Sequence, residues 1–306
     1  MKNKLKFYIF FFFFCSGITL FAQQDPQFSM YMFDKMALDP AAAGNKDALE
    51  ATVITRDQWT GISGSPTTNA LLLQAPLNSK KIAWGLEIMN DRTGPASNTM
   101  LEGNYAYNIH LGSGKLAFGI GLQVSDYSID WGQIDMPDKS TDLYNGGGSM
   151  SKFLPDADAG LFYNTQTFYL GASLTHLLQP KITDIAGSAA DFEYHGYIIT
   201  GKSFQLSENF LLNPSLVIQL AKNAPSAYSI NINALLVQKL WLGLSLKAGY
   251  GFTAMAAYKI SDAVQLGYAY DLGVNAIGKV GGGSHELSLT FDFGSNKLVQ
   301  LSPRYF

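Results

Sequence analysis

Runs of about ten residues in which apolar and polar side chains alternate recur along most of the chain, and no other feature limits its fold so much. In 98–111, Leu101, Tyr105, Tyr107, Ile109 and Leu111 share one face, while Glu102, Asn104, Asn108 and His110 share the other. In 116–125, Leu116, Phe118, Ile120, Leu122 and Val124 oppose Ala117, Gly119, Gly121, Gln123 and Ser125. In 240–250, Leu240, Leu242, Leu244, Leu246 and Tyr250 oppose Trp241, Gly243, Ser245, Lys247 and Gly249. In 286–293, Leu287, Leu289, Phe291 and Phe293 oppose Glu286, Ser288, Thr290 and Asp292. Successive side chains of a strand point to opposite faces, so each run reads as a strand with one apolar and one polar face. About fourteen such strands are predicted, near 48–57, 67–76, 81–91, 98–111, 114–126, 157–165, 167–176, 192–203, 209–221, 226–237, 240–250, 251–260, 263–272 and 284–294. The longer links fall at 127–156 and 177–191.

The polar faces decide which way the apolar ones point. They carry Gly, Ser and Asn rather than the Lys and Glu of a soluble sheet, which suits a lumen and leaves the apolar faces to lipid. Composition agrees. Only 15% of residues are charged, against about 25% in soluble domains. After the first residues no run is apolar for the ~20 positions that a spanning helix needs. Trp59, Trp84, Trp131, Tyr127, Tyr250 and Tyr270 stand near strand ends, where interfacial girdles lie. The expected fold is all-β: a transmembrane antiparallel β-barrel of about fourteen strands with an irregular N-terminal arm.

Residues 1–22 read as an export signal. Lys2, Lys4 and Lys6 precede an apolar stretch containing Phe7 and Phe10–Phe14, and cleavage after Ala22 leaves Gln23 first. Cys15, the one cysteine, lies in this signal behind three phenylalanines too bulky for a lipidation motif, so the mature chain has no disulfide or thiolate site. The net charge of −3 becomes more negative without the signal lysines, and no basic block supports nucleic-acid binding. Residues 23–47 carry turn signals at Gln24-Asp25-Pro26 and Asp39-Pro40 and no clean period, which fits an arm that plugs or lines the barrel mouth. The barrel is assigned to 48–306, with a terminal Phe306 in the position of an assembly signal, though beyond the last clear strand.

Inward charges at Glu87, Glu102, Lys247, Asp271, Glu286 and Asp292 are expected to form a lumenal network that satisfies itself in a filled barrel; the sharper alternative is a selective pore. Arg56 belongs in the lumen or at the rim, because a charge facing lipid at mid-membrane costs ~2–4 kcal/mol. Trp59 reads as an interface anchor or as a partner contact at the rim. Catalysis finds little footing. His110, His176, His195 and His285 have no metal-binding spacing, and no nucleophile elbow or metalloprotease motif is present. Neither a catalytic residue, a cofactor nor a metal is assigned.

An ordered set of short motifs adds to this reading. Gln24-Asp25-Pro26-Gln27-Phe28-Ser29-Met30-Tyr31-Met32-Phe33 is followed by Asp39-Pro40-Ala41-Ala42-Ala43-Gly44 and by Arg56-Asp57-Gln58-Trp59. Then come Gly61-Ile62-Ser63-Gly64-Ser65-Pro66-Thr67-Thr68 and Asp91-Arg92-Thr93-Gly94-Pro95. This resembles the PorP/SprF family of outer-membrane proteins, linked to type IX secretion and gliding motility in Bacteroidetes. The stretch at Asp39–Gly44 departs from the family pattern in having Ala where an aromatic is usual. The resemblance implies a non-enzymatic outer-membrane barrel that binds and anchors, or helps export, a secreted surface adhesin through its C-terminal domain. Its partners would be outer-membrane lipid, that cargo domain and other components of the secretion and gliding apparatus. Phe28, Tyr31, Phe33, Arg56 and Trp59 are the candidate partner-binding residues. The alternative function is an outer-membrane porin or small-solute transporter.

Overall fold

In the computed structural model the alternating segments pair in sequence order into one antiparallel sheet that closes on itself. The structure describes residues 26–46, 48–134, 148–183, 189–222 and 225–294. The strands are β1 (Leu49–Asp57), β2 (Thr67–Pro76), β3 (Ile82–Thr93), β4 (Ala96–Leu111), β5 (Gly114–Asp130), β6 (Ser149–Asn164) and β7 (Phe168–Thr175). They continue as β8 (His195–Lys202, prolonged after Ser203 by Phe204–Ser207), β9 (Phe210–Ala221), β10 (Ala227–Leu236), β11 (Leu240–Lys247), β12 (Gly251–Ser261), β13 (Val264–Gly273) and β14 (Ser284–Phe293). Pairing of β1 with β14, from Leu49 opposite Phe293 to Asp57 opposite His285, shuts the fourteen-strand barrel. Closure removes the free sheet edges that lipid could not satisfy.

Side-chain direction follows the alternation. On β11, Leu242, Leu244 and Leu246 point out to the lipid side, while Trp241 and Ser245 between them are buried inside. On β4, Leu101, Tyr105 and Tyr107 point out and Glu102 and Asn104 point in. One rim carries the compact turns 77–81, 112–113, 165–167, 208–209, 237–239 and 262–263, together with the start of β1 and the end of β14. The other carries the longer connections 58–66 and 274–283 and the described residues 131–134, 176–183 and 189–194. In barrels of this class the compact turns face the periplasm, so the second rim is the outer one.

Two connections differ from the expectation. The link at 127–156 is shorter, because β5 runs on to Asp130 and β6 starts at Ser149, well before 157. Within the extended β6, Pro155 sits in the ladder opposite Val124. It is tolerated there because β7 pairs with β6 only from Ala159 onward, so that side of β6 has no ladder to interrupt. Pro214 on β9 is accommodated similarly: it lies in the gap where pairing with β8 lapses, between Gly201 opposite Ser215 and Phe204 opposite Leu212. The link at 177–191 contains a small hairpin, Lys181–Thr183 with Ala189–Asp191. Under it Tyr127 and Ile129 pack on Met150, Leu154 and Ile182, so Tyr127 seals the outer cap and is not a girdle residue. Tyr250 and Tyr270 do lie at the outer rim, hydrogen-bonded to Ser284 and to the Gly282 carbonyl. The signal at 1–22 with Cys15, Gln23 and the tail 295–306 with Phe306 lie outside the described residues.

Candidate functional site in the barrel lumen

Residues 26–46 occupy the interior. They fold into two single-turn 3-10 segments, Lys35–Ala37 and Pro40–Ala42. The Asp39 carboxylate starts the second turn by accepting the Ala41 N–H at 2.9 Å, and Pro40 supplies the fixed φ of its first position. Phe28, Met30, Tyr31, Met32, Met36, Leu38 and Ala41–Ala43 are all buried against the inner wall. Phe28, Met36 and Ala43 join Ile54, Leu72, Ala83 and Met89 in one apolar cluster. Tyr31, Met32 and Leu38 join Phe162, Tyr169, Ile199 and Met255 in another. The lumen is therefore a packed core, not a uniformly polar channel.

Small residues on the wall leave the room. A Cβ at Gly119 would collide with the backbone of Pro40 and Ala41, one at Gly160 with the Asp39 carboxylate, and one at Gly85 with the Met36 sulfur. Polar contacts then fix the path. At the periplasmic rim Lys46 pairs with Glu50, and the Gln74 carbonyl accepts the Gly44 N–H at 2.9 Å. The same Gln74 amide donates to Glu50 at 2.9 Å and to Asp34 at 3.2 Å. Asn231 donates to the Tyr31 hydroxyl, and Ser173 to the Leu38 carbonyl. Near the outer rim Gln27 bonds to Gln219. The arm therefore spans most of the lumen, its N-terminal end toward the outer face. Burial pushes the Asp34 carboxyl up to about 6 and the Lys35 ammonium down to about 7. Lys35 is held by the Met32 carbonyl at 2.8 Å and lies 4.8 Å from the Tyr169 ring centre.

The arm is clasped at Ser29 by charge. Arg56 on β1 pairs with Asp271 on β13 at 2.6 Å and with Glu286 on β14 at 3.0 Å. Lys247 on β11 lies 3.4 Å from Asp271. Glu286 accepts the backbone N–H groups of Ser29 at 2.6 Å and Met30 at 2.8 Å. The Ser29 hydroxyl accepts from Arg56 at 2.8 Å and from Lys247 at 2.7 Å, and donates to Asp271 at 2.7 Å. Thr253 donates to Asp271 at 2.6 Å. Two cations face two carboxylates with their hydrogen-bonding capacity largely used, the condition under which buried charges are tolerated.

The six charges expected as one network fall in three places. Lys247, Asp271 and Glu286 form this clasp with Arg56. Glu87 and Glu102 face each other across β3 and β4 on a different wall. Asp292 stands at the periplasmic rim within electrostatic reach of Lys46 and Lys259. The arm fills the space between these walls, which is why the charges do not meet. Of the other candidates, Phe28 and Tyr31 are buried between the arm and the inner wall, and Phe33 packs edge-on to Trp241 with ring centres 5.9 Å apart. Trp59 lies half-buried on the outer loop 58–66, which is stitched to 274–283 by Thr60 N–H to Gly283 at 2.8 Å and Gly282 N–H to Thr60 at 2.6 Å. Ser29, Gln74 and the wall glycines went unnoticed in the sequence. Only the glycines left a trace there, as small residues on the polar faces.

A family model described as "Type IX secretion system membrane protein PorP/SprF" matches residues 20–291. The chain belongs to the PorP/SprF family. The matched span takes in both the arm and thirteen complete strands of the barrel. Among solved structures, this PorP/SprF chain is similar to a Pseudomonas aeruginosa FadL homologue, with 12% identity, a TM-score of 0.51, and 88% of this chain and 95% of that one covered. It is also similar to the Ralstonia pickettii toluene transporter TbuX, with 12% identity, a TM-score of 0.49, and coverage of 85% and 93%. At such identity the likeness to the FadL homologue speaks for the barrel fold alone. No curated protein matches the chain. Family and fold together make it an outer-membrane barrel of the type IX secretion system.

Proposed function

We propose that this PorP/SprF barrel is a non-enzymatic anchor. It holds a secreted surface protein, an adhesin or other type IX cargo, at the outer face of the membrane through that protein's C-terminal domain, and it works beside other components of the secretion and gliding apparatus. The mature chain starts at Gln23 after cleavage behind Ala22. The observation that carries this reading is the filled lumen: an arm clasped at Ser29 and seated in wall glycines leaves the interior for support and the outer loops for contact. Trp59, on a loop stitched to its neighbour, is the partner-docking residue of the set. Phe28, Tyr31, Phe33 and Arg56 serve by keeping the arm in place. Affinity capture of the intact barrel from detergent, with and without Trp59→Ala, tests this. A secreted surface protein should co-purify and be lost with the variant. Planar-bilayer recording tests the porin alternative: steady solute-permeable conductance from the unmodified barrel would refute the anchor reading.

A further inference from the structure

The wall of the barrel is uneven at the outer rim. β7 stops at Thr175 and pairs with β6 only from Ala159 onward, whereas β6 runs on to Ser149 with β5 beside it over its whole length. Beyond β7 the chain soon leaves the edge of β6. Leu177 N–H makes one more backbone bond, to the Ala157 carbonyl at 2.9 Å, and Leu178 N–H turns instead to the Asp156 side chain at 3.0 Å. Left-handed backbone at His176 and Gln179, with φ of 59° and 48°, bends the chain away. The small hairpin Lys181–Thr183 with Ala189–Asp191 is a separate sheet, and its Ile182 packs on Met150 and Leu154, on the inward side of β6.

These bonds fix where the backbone of β6 points. In a strand the N–H and C=O of one residue face one neighbour, and those of the next residue face the other. The Ala157 carbonyl faces the β7 side, so Ser149, Ser151, Phe153 and Pro155 present theirs to that side too, and among the described residues no strand pairs with them. Pro155 has no N–H to offer and closes the run at its lower end. About ten residues of a tilted strand cross the hydrocarbon, so β6, followed up from Asn164 at the periplasmic rim, leaves it near Pro155. Ser149–Phe153 therefore stands in the outer interface, with Ser151 exposed and Phe153 73% exposed. Such a row of donors and acceptors is a template for one more strand.

We propose that this edge of β6 receives an extended segment of the secreted protein, which adds a strand beside Ser149–Phe153; the inference rests on the anchoring role proposed above and gives it a docking line. Main-chain bonds supply the hold, and Phe153 selects a segment with an apolar side chain next to it. Geometry excludes a second copy of this barrel as the occupant. Two copies in one membrane are related by an axis along the membrane normal. With strands tilted by ~35–45°, their β6 edges would cross at about 70–90°. Paired strands are rotated by only about 20–25°, so the two edges cannot share a ladder.

The test keeps the full chain in its own cells, with a photo-crosslinking phenylalanine analogue at position 153. Irradiation should join it to a secreted surface protein within one extended segment, located by mass spectrometry. Ser151→Pro and Phe153→Pro each delete a single edge N–H and leave the β5 ladder whole. Each should retain at least tenfold less of that protein, with heat-modifiable gel migration showing an intact barrel. Ser151→Ala, which loses only the hydroxyl that donates to Asp126, should retain the normal amount. Amide exchange in the barrel purified alone should be fast at Ser151 and Phe153 and slow at Met150 and Lys152, whose N–H groups face β5. Slow exchange at Ser151 and Phe153 would mean that the chain covers its own edge and would overturn the proposal, as would absence of a crosslink or normal retention by both proline variants. Normal retention there, with Trp59→Ala still releasing the protein, leaves the anchor standing without this edge. A barrel that holds no secreted protein at all overturns the anchoring role and this inference together.

Discussion

Replacing Arg56 by Met is the sharpest probe of the clasp. The substitution keeps an unbranched apolar stem and removes both ion pairs, at 2.6 and 3.0 Å, from carboxylates whose side chains are almost wholly buried. Lys247 remains, 3.4 Å from Asp271, so among the described residues Glu286 keeps the Ser29 and Met30 N–H groups and the more distant Lys247 charge but loses its ion pair. Breaking one side of a buried ion cluster costs ~3–5 kcal/mol, which is roughly two to four powers of ten in the folding equilibrium. Urea unfolding in detergent micelles, followed by tryptophan fluorescence, reads this directly. Limited proteolysis of the native protein reads the arm, whose N-terminal half should become cleavable. Neutralising the whole group should cost less than the sum of its parts: Arg56→Met with Asp271→Asn and Glu286→Gln should recover much of the single-variant loss, because no buried charge is then unpaired. A loss below about 1 kcal/mol for Arg56→Met, or strict additivity in the combined variant, would refute the reasoning that the charges act as one unit.

Gly119→Val should unseat the arm while sparing the barrel, since its side chain enters the space of the Pro40–Ala41 backbone; channel recordings should then show conductance absent from the unmodified protein. Lys35 gives a pH dependence. Its folded value is about 7 against 10.5 for the free side chain. Above pH 7 the released arm therefore holds a proton that the seated arm does not, and seating strengthens as pH rises from about 7 toward 10.5. Thermal melting at pH 7 and pH 9.5 should differ, and Lys35→Met should erase the difference. Asp34, raised from 3.8 to about 6, acts oppositely lower down, weakening the seat as pH climbs from about 4 to 6. On the outside, Leu244→Arg at the lipid-facing middle of β11 should cost ~2–4 kcal/mol of folding free energy in bilayers; a cost near zero would mean that this face does not meet hydrocarbon.

The strands and their inward faces were legible because period-two alternation is a local property, and the barrel's solvent enforces it twice: lipid outside, packed side chains within. β5 and β6 extend beyond the alternating runs at 114–126 and 157–165, and Pro155 is harmless inside β6 because β7 does not pair beside it. Inside the lumen the limits were different. Ser29 and Glu286 are more than 250 positions apart and meet only once β1 and β14 have closed. Arg56 was legible as a residue that must pair, but not with which carboxylates. Gly85, Gly119 and Gly160 showed as small residues on a polar face; that they are the imprint of a particular stretch of arm needs the arm in place. The clean period fails over 26–46 because those side chains are gripped from several walls, with no single lipid-facing side to repeat toward.

The filled interior also has a mechanical meaning. A hollow tube of single-layer sheet yields to a sideways pull by flattening, since only its hydrogen-bonded wall resists a change of cross-section. Here the arm braces β1, β3, β5, β6, β13 and β14 against one another, so flattening the tube would have to compress close-packed side chains and part the Ser29 contacts. A protein at the outer rim could tug on loops 58–66 and 274–283, which spring from β1 and β14 beside the clasp, and the strain would pass inward to the far wall. Under the anchoring role proposed above, with cargo pulling on the outer loops, the arm would act as a strut.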